Sequence, residues 1–232
     1  MRMRSLALTL ALAASVGLAA CGGDDSTAGS DSTAAATAGK VGVILPDSAS
    51  SARWETADRK FLTEAFGAAG VEADIQNANG DKAKFATLCD QMITGGVSVL
   101  MIVNLDSETG AACSKKAVAQ GIKTIDYDRL TLGGEASYYV SFDNVAVGTA
   151  QGEGLVKCMQ ANGKTEGPVA LLNGSPTDNN ATLFKQGYEK VIKDAGYTIA
   201  DDQSVPDWDN TQAGTIFEQM FTKANGNFVG VD

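Results

Sequence analysis

Tyr127-Asp128-Arg129 places an acid beside an arginine at the end of a short apolar stretch, Ile122 to Ile125. Such a stretch is typical of a buried β-strand, and open α/β sheets bind ligands beyond the carboxyl ends of their strands. Arginine offers a planar fork of N–H donors and an ionised acid offers acceptors, so the pair is suited to a ligand with several hydroxyl groups. An ion pair in a surface loop is the alternative interpretation.

Further polar and aromatic residues follow other predicted strands. The loop after the first strand leads into Arg53-Trp54, the first strand of the second half leads into residues 173–180, and the next strand leads into Trp208. Indole faces cover the C–H face of a sugar ring, and planar polar groups bind adjacent hydroxyls. Each stretch alone is also explained by helix capping or core packing.

Catalytic and metal-binding patterns are missing from the sequence. It contains no histidine, which removes the commonest general base and the commonest metal ligand. Nucleophile-elbow, phosphate-loop and dinucleotide glycine patterns are absent as well. The pair Asp201-Asp202 is predicted to lie in a solvated loop. We therefore expect neither an enzyme nor a bound cofactor, and the formal charge of −10 without a basic cluster argues against nucleic acid.

Short, nearly continuous apolar stretches, typical of buried strands, alternate along the chain with longer stretches whose apolar residues recur every three or four positions, as in helices. This alternation predicts an α/β fold with parallel sheets. The alternation restarts after Asp143-Asn144, so we expect one domain over residues 40–143 and a second over 144–232. The last predicted strand is interrupted at Asp232, and the second domain is expected to be incomplete. The predicted strands are 41–45, 71–75, 97–103, 122–125, 138–142, 169–172, 197–200 and 228–231, and the helices are 54–69, 81–93, 107–120, 145–160, 179–195 and 211–223.

Three cysteines, Cys89, Cys113 and Cys158, lie in the predicted globular part and show no Cys-x-x-Cys spacing. Right-handed crossovers in a flavodoxin-like strand order put the second and third helices on one face of the sheet. A disulfide between Cys89 and Cys113 is therefore favoured in an oxidising compartment, and three buried free thiols are the alternative.

The first 21 residues have the features of a secretory signal peptide. A positively charged start precedes a mostly apolar stretch, Leu6 to Leu18, that is too short to span a bilayer comfortably. Leu18-Ala19-Ala20-Cys21 resembles the lipobox of bacterial lipoproteins, which implies cleavage before Cys21 and lipidation of its sulfur. An ordinary signal peptide with an incidental cysteine is the alternative. Residues 22–39 carry no large apolar side chain and are predicted to be a solvated tether.

Several blocks from Val41 to the end of the chain share an order and spacing with a known family. They are Ala52-Arg53-Trp54, Gln76-Asn77-Ala78-Asn79-Gly80, Tyr127-Asp128-Arg129, Tyr139 to Gly148, Gly174 to Phe184, and Asp202 to Trp208. In this order they resemble the periplasmic sugar-binding proteins of ABC importers, and within that family the xylose-binding branch. The resemblance implies two Rossmann-like lobes joined by a hinge near Asp143-Asn144, the type I periplasmic binding protein fold.

The resemblance also implies a sugar site between the lobes. The expected contacts are Arg53 and Arg129 with ring and hydroxyl oxygens, Asp178, Asn180 and Asp128 with hydroxyls, Trp54 and Trp208 with the ring faces, and Phe184 as an apolar wall. Ala52 stands where the family carries an acid.

The function implied is that of a monomeric, lipid-anchored protein outside the cytoplasmic membrane that captures a monosaccharide, with D-xylose as the first expectation, and delivers it to an ABC permease. The alternatives are a sugar sensor that docks on a chemoreceptor or histidine kinase, and a binder of another aldose or of a furanosyl signal molecule.

Overall fold

The computed structural model describes residues 39–232, so the predicted signal peptide, Cys21 and nearly all of the tether lie outside the described residues. No helix in residues 39–232 is long and apolar enough to cross a membrane. The elements are β1 Val41–Leu45, a π-helical turn Trp54–Asp58, α1 Arg59–Ala68, β2 Ala73–Asn77, α2 Lys82–Thr94, β3 Val99–Ile102, α3 Ser107–Ala119, β4 Lys123–Tyr127, β5 Tyr138–Val140, α4 Asn144–Ala161, β6 Pro168–Asn173, α5 Asn179–Asp194, β7 Thr198–Ser204, a short 3-10 turn Pro206–Trp208, α6 Asn210–Lys223 and β8 Gly230–Val231.

Two parallel sheets organise these elements, which confirms the predicted α/β architecture. The first has the order β2-β1-β3-β4-β5, the flavodoxin-like order that was expected. The second has the order β7-β6-β8, and its pairs are also parallel. All five residues of β1 are buried because this interior strand is covered on both faces.

The first sheet has a hydrophobic core on each face. On one face Ile44 and Leu100 pack with Phe85 from α2. On the other face Val43 and Leu45 belong to the cluster that contains Trp54. The helices that cover the two faces thereby fix the positions of the strands, and with them the positions of the strands' carboxyl ends.

A disulfide joins Cys89 of α2 to Cys113 of α3 on the same face of the first sheet. Both cysteines are buried within the core cluster of that face. Cys158 is exposed and lies outside any disulfide among the described residues.

The apolar spacing from Trp54 to Ala69 predicts an amphipathic helix with Trp54, Phe61, Leu62 and Phe66 among its inward residues. Trp54, Leu62 and Phe66 do pack against the core, but Phe61 is 60% exposed. The π-helical turn before α1 contains more residues per turn than an α-helix, so it shifts the residues that face the sheet. The inward residues are Trp54, Asp58, Leu62 and Phe66.

Asp201 and Asp202 lie in β7, which extends to Ser204, so the prediction of a loop is wrong. Asp202 is solvent-exposed as predicted, whereas Asp201 is buried. Asp201 accepts hydrogen bonds from Lys223 and Gln203, at 3.0 and 2.8 Å, and these bonds lower its pKa. Asp202 accepts one from Asn173 at 2.7 Å.

Helices α4 and α5 pack closely because glycine stands at their contact. A Cβ atom on Gly148 would lie 2.0 Å from the carbonyl oxygen of Phe184, and one on Gly187 would lie 2.4 Å from that of Val145. Contacts this short leave no room for a side chain, since the obstructing atoms belong to the backbone. The glycines therefore set the position of α5 relative to α4.

We predict that Gly148→Ala lowers the free energy of unfolding by about 1–3 kcal/mol, because the added methyl forces α4 and α5 apart. Urea denaturation measures the change. Gly154→Ala is the matched control, since Gly154 lies on the exposed side of α4 with open space around it. That control should be neutral or slightly stabilising. Equal stability of the two variants would contradict the packing argument.

Candidate functional site

A cavity of about 240 Å³ lies between the carboxyl ends of the strands of the two sheets. Residues that follow β1, β4 and β5 line it from the first sheet, and residues that follow β6 and β7 line it from the second. The structure places every residue that was predicted to contact a ligand on its wall, namely Arg53, Trp54, Asp128, Arg129, Asp178, Asn180, Phe184 and Trp208. Ser50, Ser51 and Phe142 complete the lining.

Arg53 lies flat against the indole of Trp54. The guanidinium carbon is 4.0 Å from the centre of the ring, within the range of a cation–π interaction. One end of the guanidinium forms an ion pair with Asp128, and its Nε lies 3.5 Å from a carboxylate oxygen of Asp58. Trp54 is buried, and its indole nitrogen donates to Ser50 Oγ at 3.3 Å. Arg53 and Trp54 thus form a single polar and aromatic wall.

Asp128 adopts a left-handed backbone conformation, with φ of 66°. Successive side chains of a strand point to opposite faces, and a left-handed residue interrupts that alternation. Aspartate tolerates the conformation better than most residues. Its carbonyl oxygen accepts hydrogen bonds from Tyr139, Ser141 and Asn180, at 3.2, 2.8 and 3.1 Å. Asp128 and Arg129 therefore both line the cavity although they are adjacent in sequence.

Arg129 is buried and is held from both sheets. Its Nε forms an ion pair with Asp178 Oδ2 at 3.0 Å, and one terminal nitrogen donates to the carbonyl of Asn104 at 3.2 Å. The amide of Asn104 in turn donates to Thr131 Oγ1 at 2.9 Å. Sequence reasoning missed Asn104, although its place directly after β3 was a usable signal. The buried network around it fixes the loop that carries Arg129.

Asp178 connects the second sheet to the site. One carboxylate oxygen accepts the backbone N–H of Asn180 at 2.9 Å and so caps α5. The other oxygen accepts from Arg129 and from the indole nitrogen of Trp208, the latter at 3.1 Å. Asp178 therefore caps a helix, which was the ordinary explanation for this residue, and it also lines the cavity.

Asn180 forms a second contact between the sheets. Its amide nitrogen donates to a carboxylate oxygen of Asp128 at 3.0 Å. Its own Oδ1 is buried and has no hydrogen-bond partner among the described residues. An unpaired buried acceptor is costly unless something donates to it.

Trp208 owes its position to a glycine and to an unusual backbone. A Cβ atom on Gly174 would lie 1.9 Å from a carbon of the indole ring, so the ring rests directly on that glycine. Asp207 and Trp208 both have positive φ, 52° and 57°, which turns the chain back toward β6. Sequence reasoning included Gly174 only as a member of residues 173–180, without a role of its own. Phe184, by contrast, stacks on Phe142 with ring centres 6.1 Å apart.

The charges on the cavity wall balance. Two guanidinium groups, Arg53 and Arg129, face two carboxylates, Asp128 and Asp178, in direct ion pairs. Burial raises the pKa of Asp128, and the guanidinium groups of Arg53 and Arg129 act against that increase. A balanced set of donors and acceptors between aromatic faces favours a neutral polar ligand over an ion.

Two periplasmic proteins align with more than two thirds of this chain. The chain is 34% identical over 192 residues to the D-xylose-binding periplasmic protein of Escherichia coli, a match that covers 81% of this chain and 56% of that protein. It is 37% identical over 161 residues to the multiple sugar-binding periplasmic receptor ChvE of Rhizobium radiobacter, covering 68% of this chain and 45% of that protein. These relatives are named as binding proteins and not as enzymes.

A solved structure with the same fold is an ABC transporter solute-binding protein from Clostridium phytofermentans with bound β-D-glucose. The two superpose with a TM-score of 0.72 at 27% identity, over 79% of this chain and 60% of that one. A carbohydrate-transporter solute-binding protein from Chloroflexus aurantiacus in complex with D-glucose gives a TM-score of 0.69 at 30% identity, over 79% and 61% of the two chains.

The chain thus spans a little over half the length of the Escherichia coli relative. The family described as the periplasmic binding protein domain matches residues 41–231. The two parallel sheets of this chain have the arrangement of the type I periplasmic binding protein fold. This match and the similarity of the solved structures show that the chain belongs to the periplasmic binding protein family.

Proposed function

We propose that this protein captures a monosaccharide outside the cytoplasmic membrane and delivers it to an ABC permease, with D-xylose as the first candidate. The observation that carries the proposal is the composition of the cavity wall. Two arginines, two carboxylates and one amide from both sheets surround a space bounded by Trp54 and Trp208.

The size and polarity of the cavity support a single sugar ring. Its volume of about 240 Å³ is below the roughly 300–1,000 Å³ that is typical of sites for drug-sized ligands. Ionised donors and acceptors form stronger hydrogen bonds with hydroxyl groups than neutral ones do. Because the ion pairs already hold these side chains in place, a sugar would lose little affinity to their ordering.

The names of the relatives support the choice of D-xylose as the first candidate. Proteins named for D-xylose binding match at 34% and 33% identity, which makes a pentose the first candidate. A relative named for multiple sugars matches at 37%, and solved relatives hold glucose. D-glucose is therefore the principal competitor in any test.

Export and anchoring are part of the same proposal. The relatives are named as periplasmic proteins, and the signal-like first 21 residues of this chain support secretion. A lipid on Cys21 would keep the protein at the membrane beside its permease. The ligand is expected to act by favouring a closed arrangement of two lobes that hinge near Asp143 and Asn144.

A thermal-shift panel on the full-length protein tests the function. D-xylose, L-arabinose, D-ribose, D-glucose and D-galactose are compared, and sucrose is the control because a disaccharide exceeds the cavity. A sugar at 100 times its Kd should add about 2.7 kcal/mol to the free energy of unfolding. A shift with another monosaccharide but not with D-xylose would overturn the choice of sugar. No shift with any sugar would overturn the function.

We predict that Arg129→Lys weakens monosaccharide binding by roughly tenfold to a hundredfold, because lysine keeps the charge but lacks the planar fork. Isothermal titration calorimetry measures the Kd. Arg59→Lys is the matched control, since Arg59 pairs with Glu55 away from the cavity. The assignment of Arg129 would fail if both variants bound the sugar as tightly as the unmodified protein.

We also predict that Gly174→Ala weakens sugar binding by at least tenfold, because the added methyl displaces the Trp208 ring from the cavity wall. Titration of the sugar is followed by tryptophan fluorescence and by calorimetry. Gly214→Ala, on α6 with open space around it, should leave the affinity unchanged. Unchanged affinity in Gly174→Ala would show that Trp208 does not bound the ligand.

A further inference from the structure

Asp58 is a buried carboxylate that does not line the cavity. It ends the π-helical turn, and its two oxygens have different partners. Tyr127 OH donates to Oδ1 at 2.6 Å, and Arg53 Nε lies 3.5 Å from Oδ2. Tyr127 does not line the cavity either. A buried charge is retained only where it is paired, so the contact with Arg53 accounts for its presence.

The π-helical turn is what lets Asp58 reach Arg53. With 3.6 residues per turn, an α-helix places the fifth following residue about 140° around its axis. In a π-helical turn each N–H bonds to the carbonyl five residues earlier, which brings those two residues onto one side. The N–H of Arg59 bonds in this way to the carbonyl of Trp54, and Arg53 and Asp58 have the same separation. Single π-helical turns are frequent at functional sites.

Arg53 needs such support because its side chain is otherwise free to move. It is 42% exposed, whereas Asp58 and Asp128 are largely buried. The ring of Trp54 contacts one face of the guanidinium, Asp58 approaches Nε, and Asp128 pairs with one terminal nitrogen. The other terminal nitrogen remains for a ligand. A long flexible side chain loses less entropy on binding when its conformation is already fixed.

Tyr127 fixes Asp58 from the other side. It is the last residue of β4 and directly precedes Asp128, so the hydrogen bond ties α1 to the strand that delivers the cavity residues. Burial and the hydrogen bond to Asp58 raise the pKa of Tyr127 to about 12. The phenol therefore stays protonated and keeps donating at neutral pH.

We infer that Asp58 and Tyr127 are a positioning pair that holds Arg53 against Trp54 and thereby sets the affinity for the ligand without touching it. This inference rests on the proposed sugar-binding function. A purely structural role, in which Asp58 and Tyr127 only tie α1 to β4, predicts a different outcome in the test below.

The test is a double-mutant cycle in the full-length protein, titrated with D-xylose and with D-glucose. Asp58→Asn should weaken binding by about tenfold, and Tyr127→Phe should weaken it less, since it removes only the support of Asp58. In an Arg53→Ala background, Asp58→Asn should cause no further loss, because the residue that it positions is gone. Glu55→Gln is the matched control in the same turn, where the carboxylate pairs with Arg59, and should leave the affinity unchanged.

An equal loss from Asp58→Asn with and without Arg53 would overturn the inference, as would unchanged affinity in the single variant. A measurement without ligand separates this inference from the proposed function. The motion of the Arg53 Nε–H bond, measured by 15N NMR relaxation and assigned with Arg53→Lys, should be restricted in the unmodified protein and clearly less restricted in Asp58→Asn. If no sugar binds, the proposed function fails and this measurement still decides whether Asp58 positions Arg53. Equal mobility in the two proteins would contradict the positioning role.

Discussion

The ion pair between Arg129 and Asp178 is the interaction on which the site depends, because it joins the loop after β4 of the first sheet to the start of α5, which follows β6 of the second sheet. Both side chains are almost completely buried. A buried charge without a partner is strongly destabilising, so each residue requires the other to be in place. Asp178 also caps α5 and accepts the indole N–H of Trp208, while Arg129 is held by Asn104. This ion pair therefore links the first turn of α5, the Trp208 ring and the loop that carries Arg129.

The other cavity residues are arranged by local backbone chemistry around that pair. A left-handed residue at Asp128 brings two adjacent side chains to the same cavity. Glycine at position 174 leaves the space that the Trp208 ring occupies. Asn180 meets Asp128 from the opposite side and retains one unpaired buried oxygen. Ion pairs and hydrogen bonds between the wall residues thus hold their side chains in place, and the remaining donors and acceptors suit a ligand rich in hydroxyl groups.

The alternation of strands and helices, and the stretches that meet at the cavity, could be predicted from the sequence for a physical reason, whereas Phe184 and the individual ligand contacts were implied only by the family resemblance. Buried parallel strands are continuous apolar stretches, and the residues that follow them must lie at one edge of a sheet. The π-helical turn was not predicted, because the apolar spacing from Trp54 onward also fits an ordinary helix with Phe61 inward. Because the contact between Asp58 and Arg53 depends on that turn, it was not predicted either. Asp201 and Asp202 were misplaced because their partners, Lys223 and Asn173, are distant in sequence. Tertiary pairing of this kind leaves no local signal.

A crystal structure of the full-length protein grown with D-xylose tests the central claim most directly. We expect one pyranose ring between the indoles of Trp54 and Trp208, with Arg53, Arg129, Asp178 and Asn180 within hydrogen-bond distance of its oxygens. A sugar bound elsewhere on the molecule, or a cavity that stays empty at saturating sugar, would contradict the account.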